Sequence, residues 1–168
     1  NTIDRLEFSN ETRTQISATL SIARSGLAAN NSSTRGYFGG GSSGGGNIID
    51  RLEFSNETCN QISATLSVWR WGPEANNSST RGYFGGGWSY ISTIERLEFS
   101  NETCNQISAT LSVGRSNLAA NNSSTRGYFG GGVIVPGNHA DTIDSLEFSN
   151  ETCTQISATL SVGRGYLA

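Results

Sequence analysis

Recurring carboxylates are the first residues in this sequence whose type and spacing could do chemistry. Glu7, Glu53, Glu98 and Glu147 form one set, and Glu11, Glu57, Glu102 and Glu151 follow them at a fixed offset. Two carboxylates can share the acid and base roles of hydrolysis only where their surroundings push their pKa values apart. Residues copied into every unit meet similar surroundings, which argues against that role. Ion pairing to the recurring Arg24, Arg70, Arg115 and Arg164, or to Arg35, Arg81 and Arg126, is expected instead. Such pairs fix register and contribute little where exposed. His139 is the only histidine, so metal sites with several imidazoles and repeated Cys–His nucleophiles are excluded within the sequence. Cys59, Cys104 and Cys153 fill one repeat position, occupied by Arg13 in the first unit. Equivalent points on neighbouring units are usually too far apart for a disulfide, so free structural thiols are expected. No catalytic residue, metal or cofactor is assigned, and an enzyme would need an active site built from loops.

Recognition is better supplied. Trp69, Trp71, Trp88 and Tyr90 depart from the repeat and could stack on a sugar or anchor a peptide, because indole and phenol rings join large contact area to a polar tip. Asn138, His139 and Asp141 could add hydrogen bonds. The competing reading is that the aromatics fill gaps between repeats and the polar residues are plain loop. Asn10, Asn56, Asn101 and Asn150 each open an Asn-Glu-Thr acceptor pattern. Secretion in a eukaryote would make them glycosylation sites, and any other source leaves them as good turn formers.

The elements that position these residues come from a tandem repeat. Phe8, Phe54, Phe99 and Phe148 mark equivalent points separated by 46, 45 and 49 residues, a period that suits propeller blades or helical arrays. Alternation decides for strands. Ile107, Ala109, Leu111 and Val113 share one face of an extended segment, and Ser108, Thr110 and Ser112 the other. Four strands per unit are expected: A near residues 118–121, B at 127–130, C at 93–100 and D at 106–113. SNET and NNSSTRG read as hairpin turns. The triple glycine after strand B, as in Gly39, Gly40 and Gly41, supplies either a backbone conformation closed to other residues or close approach of a neighbour.

GYFGGG, TIDRLEFSNET, ISATLSVGR and LAA together resemble the kelch motif, with glycines ending one strand, an aromatic in the next and an arginine before the innermost strand. The wording is also similar to kelch-like repeats of phage and aquatic bacterial proteins. The resemblance implies an all-β fold of tandem four-stranded antiparallel blades, a kelch-like β-propeller with strand A innermost. Residues 1–24 would be an outer half-blade of strands C and D, and residues 25–70, 71–115 and 116–164 complete blades. Residues 165–168 would begin another strand A, leaving the propeller incomplete in this chain. Because strands alternate in direction, the invariant A–B and C–D turns would share one side and the variable B–C and D–A connections the other.

The net charge of -3 is spread evenly, so nucleic acid is not an expected partner. No run approaches the roughly 18 apolar residues of a membrane helix, and no membrane insertion is expected. Methionine is absent, and the chain reads as a mature product or an excerpt. The expected function is a non-catalytic recognition or adhesion module, glycan-binding or protein-binding, on an extracellular or virion-associated protein. Its specificity would lie in the B–C and D–A loops. The alternative is a structural repeat that builds a ring, oligomer or filament through open blade edges, with further blades of the same protein or another copy as partner.

Overall fold

The computed structural model describes residues 1–135 and 137–166, and these fold entirely as strands, turns and loops, with no helix among them. A hairpin opens the chain, β1 (Thr2–Glu7) with β2 (Thr12–Thr19). Three four-stranded antiparallel sheets follow. The first holds β3 (Ala28–Asn31), β4 (Arg35–Gly39), β5 (Ile48–Glu53) and β6 (Thr58–Thr65). The second holds β7 (Glu74–Asn77), β8 (Arg81–Gly85), β9 (Thr93–Glu98) and β10 (Cys104–Thr110). The third takes β11 (Ala119–Asn122), β12 (Arg126–Gly130), β15 (Thr142–Glu147) and β16 (Thr152–Thr159). Between β12 and β15 a small hairpin intervenes, β13 (Val133–Val135) with β14 (Asn138–His139). Sequence reading leaves this stretch as connection, yet Val-Ile-Val favours extended backbone and Gly137, at φ +82°, lets the chain reverse. The expected start of a further strand A lies partly at Leu167 and Ala168, outside the described residues.

Each sheet is a meander, every strand pairing with the next strand of its own sheet and the β13–β14 hairpin inserted between β12 and β15, in the same register from unit to unit. The sheets approach one another mainly through their first strands, β3 against β7 and β7 against β11. Two apolar layers fill the spaces between sheets. Tyr37, Ile49, Leu66, Phe84 and Leu97 belong to one, and Tyr83, Ile94, Leu118, Phe129 and Leu146 to the other. The triple glycine serves both expected purposes. A Cβ on Gly39 would stand 2.6 Å from the Phe84 ring, and one on Gly85 2.9 Å from Phe129, so the first glycine admits the next sheet's phenylalanine. Gly40, Gly41, Gly86 and Gly87 then take positive φ, a conformation that disfavours residues with a Cβ.

Buried ion pairs lock the connection leaving each sheet to the sheet that follows. Arg24 pairs with Asp50 at 2.6 Å, Arg70 with Glu95 at 3.2 Å and Arg115 with Asp144, and all six side chains are shut off from solvent. Hydrogen bonds to backbone share the charge: Arg70 donates to the Gly86 and Thr93 carbonyls at 2.6 and 3.1 Å, and Arg115 to those of Phe129 and Thr142. Ser67 and Ser112 donate both N–H and hydroxyl to Glu95 and Asp144. These acids, not the recurring glutamates, partner Arg24, Arg70 and Arg115 of that set. Arg35, Arg81 and Arg126 do meet Glu53, Glu98 and Glu147, across the β4–β5, β8–β9 and β12–β15 pairs.

Candidate functional site

An aromatic cleft forms where the variable connections of the second and third sheets meet. It measures about 320 Å³ and is lined by Trp88, Tyr90, Ser116, Asn117, Val133, Gly137, His139 and Tyr166. Two of its residues, Asn117 and Tyr166, belong to a row of backbone hydrogen bonds between equivalent residues of successive units. Gly72 N–H donates to the Gly26 carbonyl at 2.8 Å, Asn117 N–H to Gly72 at 3.0 Å, and Tyr166 N–H to Asn117 at 2.8 Å. All four residues have φ between +50° and +65°. The first two units place glycine there, where a Cβ on Gly26 would strike Trp71 and one on Gly72 would strike Asn117. In the next two, Asn117 and Tyr166 hold this backbone with a side chain, which costs about 1 kcal/mol or more each. Tyr90 and Ser89 add two more left-handed residues, at +56° and +68°.

Trp88 is the largest ring in the cleft and half its surface is open to water. The Trp88 backbone N–H donates to the Trp71 carbonyl at 2.7 Å, and the two indoles meet at 5.4 Å between centroids, tilted by 56°. Trp71 thus acts from behind: its Nε1 is buried without a partner and its ring lies over Gly26. Ser116 and Val133 of the lining are joined by a reciprocal pair of bonds, Val133 N–H to the Ser116 carbonyl at 2.8 Å and Ser116 N–H to the Val133 carbonyl at 3.1 Å. His139 reaches the cleft from β14.

Of the residues singled out by sequence, the structure gathers Trp88, Tyr90 and His139 around one cleft with Trp71 supporting them. Trp69 stands apart, exposed and lying over Gly46. Asn138 and Asp141 are exposed beside the cleft without lining it, and the Asp141 carbonyl accepts Leu160 N–H at 2.7 Å. Sequence reading missed Ser116, Asn117 and Tyr166. Their signal lay in the D–A alignment, where Gly26 and Gly72 give way to Asn117 and Tyr166.

The cysteines lie elsewhere and are free. Burial pushes their thiols up, Cys59 to about 11 and Cys104 and Cys153 to about 12, so they stay protonated near neutral pH and are poor nucleophiles. Among the described residues no three His, Cys, Asp or Glu side chains converge in a metal-binding cluster. Asn56, Asn101 and Asn150 each accept the N–H and hydroxyl of the threonine two residues on, as does Asn10, which makes the Asn-Glu-Thr segments side-chain-stabilised turns. No protein-family model matches the chain, and no curated protein is significantly similar to it.

Proposed function

We propose that this chain is a non-catalytic recognition module, built as kelch-like propeller blades, that binds glycan in the cleft of Trp88, Tyr90, His139 and Tyr166. One observation carries the reading. Three cleft residues, Tyr90, Asn117 and Tyr166, hold side chains on left-handed backbone, around an indole left half in water. Strain of this kind persists where surrounding structure over-determines it, and it gathers at binding sites. An open aromatic ring flanked by hydroxyl, amide and imidazole groups suits a sugar, whose C–H face stacks while its hydroxyls hydrogen-bond. The propeller reading is supported by the four-stranded meanders and by their closest approach at the first strands.

The test is a titration of the chain with a panel of neutral oligosaccharides, followed by tryptophan fluorescence. A binding sugar should shift emission saturably in the parent, and Trp88→Ala should weaken affinity about tenfold or more. Trp69→Ala should leave affinity unchanged. Equal affinity in the Trp88 variant and the parent would sink the assignment.

The structural alternative is favoured by one feature, the open apolar surface at the N-terminal hairpin, where Phe8 is 86% and Leu6 52% exposed.

A further inference from the structure

Strands β1 and β2 correspond in sequence and pairing to the third and fourth strands of each complete sheet. In those sheets the third strand also pairs with an Arg-Gly-Tyr-Phe-Gly strand, β4, β8 or β12. Among the described residues the same edge of β1 is free. Beside it runs a groove of about 380 Å³ lined by Leu6, Phe8, Ile16, Leu52, Phe54 and Glu57.

The equivalent spaces between complete sheets are filled, and what fills them is known in detail. Tyr37 stacks on Phe99 and Tyr83 on Phe148, each at 5.2 Å and within 3° of parallel. Their hydroxyls donate to Glu102 and Glu151 at 3.1 Å, and Arg35 and Arg81 stand 3.5 Å from the same carboxylates. Arg51 and Arg96 complete each cluster at 2.8 Å. Phe54 and Glu57 hold the corresponding positions facing the hairpin. Arg5 already pairs with Glu57, so the third-strand arginine is in place. The tyrosine and the second arginine are not supplied by the described residues: Phe54 is 46% exposed where Phe99 and Phe148 are 6%, and the Glu57 side chain 33% where Glu102 and Glu151 are 19% and 17%.

We propose that the free edge of β1 docks an inner hairpin of this same repeat, with the sequence Ala-Ala-Asn-Asn-Ser-Ser-Thr-Arg-Gly-Tyr-Phe-Gly. Its second strand adds antiparallel to β1 in the register of the complete sheets: arginine opposite Glu7, tyrosine opposite Arg5, the last glycine opposite Ile3. The tyrosine ring enters the groove, stacks on Phe54 and donates its hydroxyl to Glu57. The arginine is drawn by Glu7 and Glu57, so charge and shape select the same register. The chain's own three strands of this sequence are paired on both sides, so the occupant comes from a further repeat. The site shares no residue with the aromatic cleft and stands whatever the cleft binds.

The probe is a labelled peptide with the sequence of residues 119–132, titrated with the full chain up to about 1 mM and followed by fluorescence anisotropy and amide hydrogen exchange. Saturable binding is expected, with slowed exchange along β1 and none along the opposite outer edge at β16. A peptide with alanine for its tyrosine should bind about tenfold or more weakly, as should the Phe54→Ala chain. The exchange readout needs no variant chain, so a misfolded Phe54→Ala protein leaves the test intact. No saturable binding, equal binding of the alanine peptide, or protection on another edge would overturn the proposal.

Discussion

On the loop side of the sheets, Arg70 and Arg115 are wholly buried with Glu95 and Asp144, whereas on the turn side Arg35 and Arg81 keep 34% of their side-chain surface in water. The same residue types therefore serve different ends. Burial draws the Arg70 and Arg115 pKa values down through desolvation, while the water-facing Arg35 and Arg81 are raised first by the neighbouring Tyr37 and Tyr83 side chains and then by nearby glutamates. A buried pair is close to neutral as a unit but costly to break, because the surviving charge has no water to turn to. An exposed pair forfeits little when broken. The loop side, where the cleft sits, is thus fixed by contacts that are nearly all-or-none, and the turn side by contacts that can be tuned.

The largest effect should come from breaking one buried pair. Arg115→Met keeps much of the side-chain volume but strands Asp144, and should lower unfolding stability by about 3–5 kcal/mol, read from denaturant midpoints. Replacing both partners, Arg115→Met with Asp144→Leu, should recover most of that loss. The matched turn-side change, Arg81→Met, should cost no more than about 1 kcal/mol. Comparable losses from Arg81→Met and Arg115→Met would erase the distinction between the two sides.

Glu74 tests the same distinction from within the loop side. It begins β7, where Ala28 and Ala119 begin the equivalent strands, and no arginine accompanies it among the described residues. Burial pushes its carboxyl up to about 7. A carboxyl whose folded pKa exceeds its unfolded value binds more protons when folded, so its ionisation removes stability as pH rises from the ordinary glutamate range through 7. Between pH 5 and pH 8, Glu74→Ala should therefore gain on the parent by about 1–2 kcal/mol, a figure reduced from the full shift for partial exposure. Parallel stability–pH curves for the two proteins would show that the carboxyl finds a counter-charge.

How far the sequence reveals these relations follows from their range. Strand positions were legible because alternation at Ile107, Ala109, Leu111 and Val113 is local, and β10 and the surrounding strands lie close to the expected spans. The role of the triple glycine was legible as a pair of options, and both hold. The buried acids were not, because Asp50, Glu95 and Asp144 meet arginines 25 to 29 residues earlier, across a sheet boundary that no local pattern crosses. Trp88, Tyr90 and His139 stood out by departing from the repeat, but the backbone row that brings Asn117 and Tyr166 to the same cleft depends on Gly26, Gly72, Asn117 and Tyr166 sharing one conformation, which composition conceals. The second glutamate set was read as simple ion pairing. The structure adds that Glu11, Glu57, Glu102 and Glu151 all take left-handed φ near +55°.

That shared conformation supplies the smallest and most discriminating comparison. Left-handed backbone costs an L-residue about 1–2 kcal/mol, which glycine avoids, although glycine's freer unfolded chain takes back about 0.4–1 kcal/mol. At Glu102 the side chain accepts from the Tyr37 hydroxyl and from Arg51 across the sheet boundary, so Glu102→Gly relieves backbone strain but dismantles a clamp. At Glu11 no such cluster is assembled among the described residues. Glu11→Gly should therefore be neutral or stabilising by up to about 1 kcal/mol, and Glu102→Gly destabilising by about 1 kcal/mol. Added salt should shrink the Glu102 effect and leave the Glu11 effect unchanged, since only the clamp is electrostatic. If both substitutions stabilise equally, the Glu102 clamp contributes nothing, and the stacked Tyr37 and Phe99 rings join the two sheets on the turn side without its help.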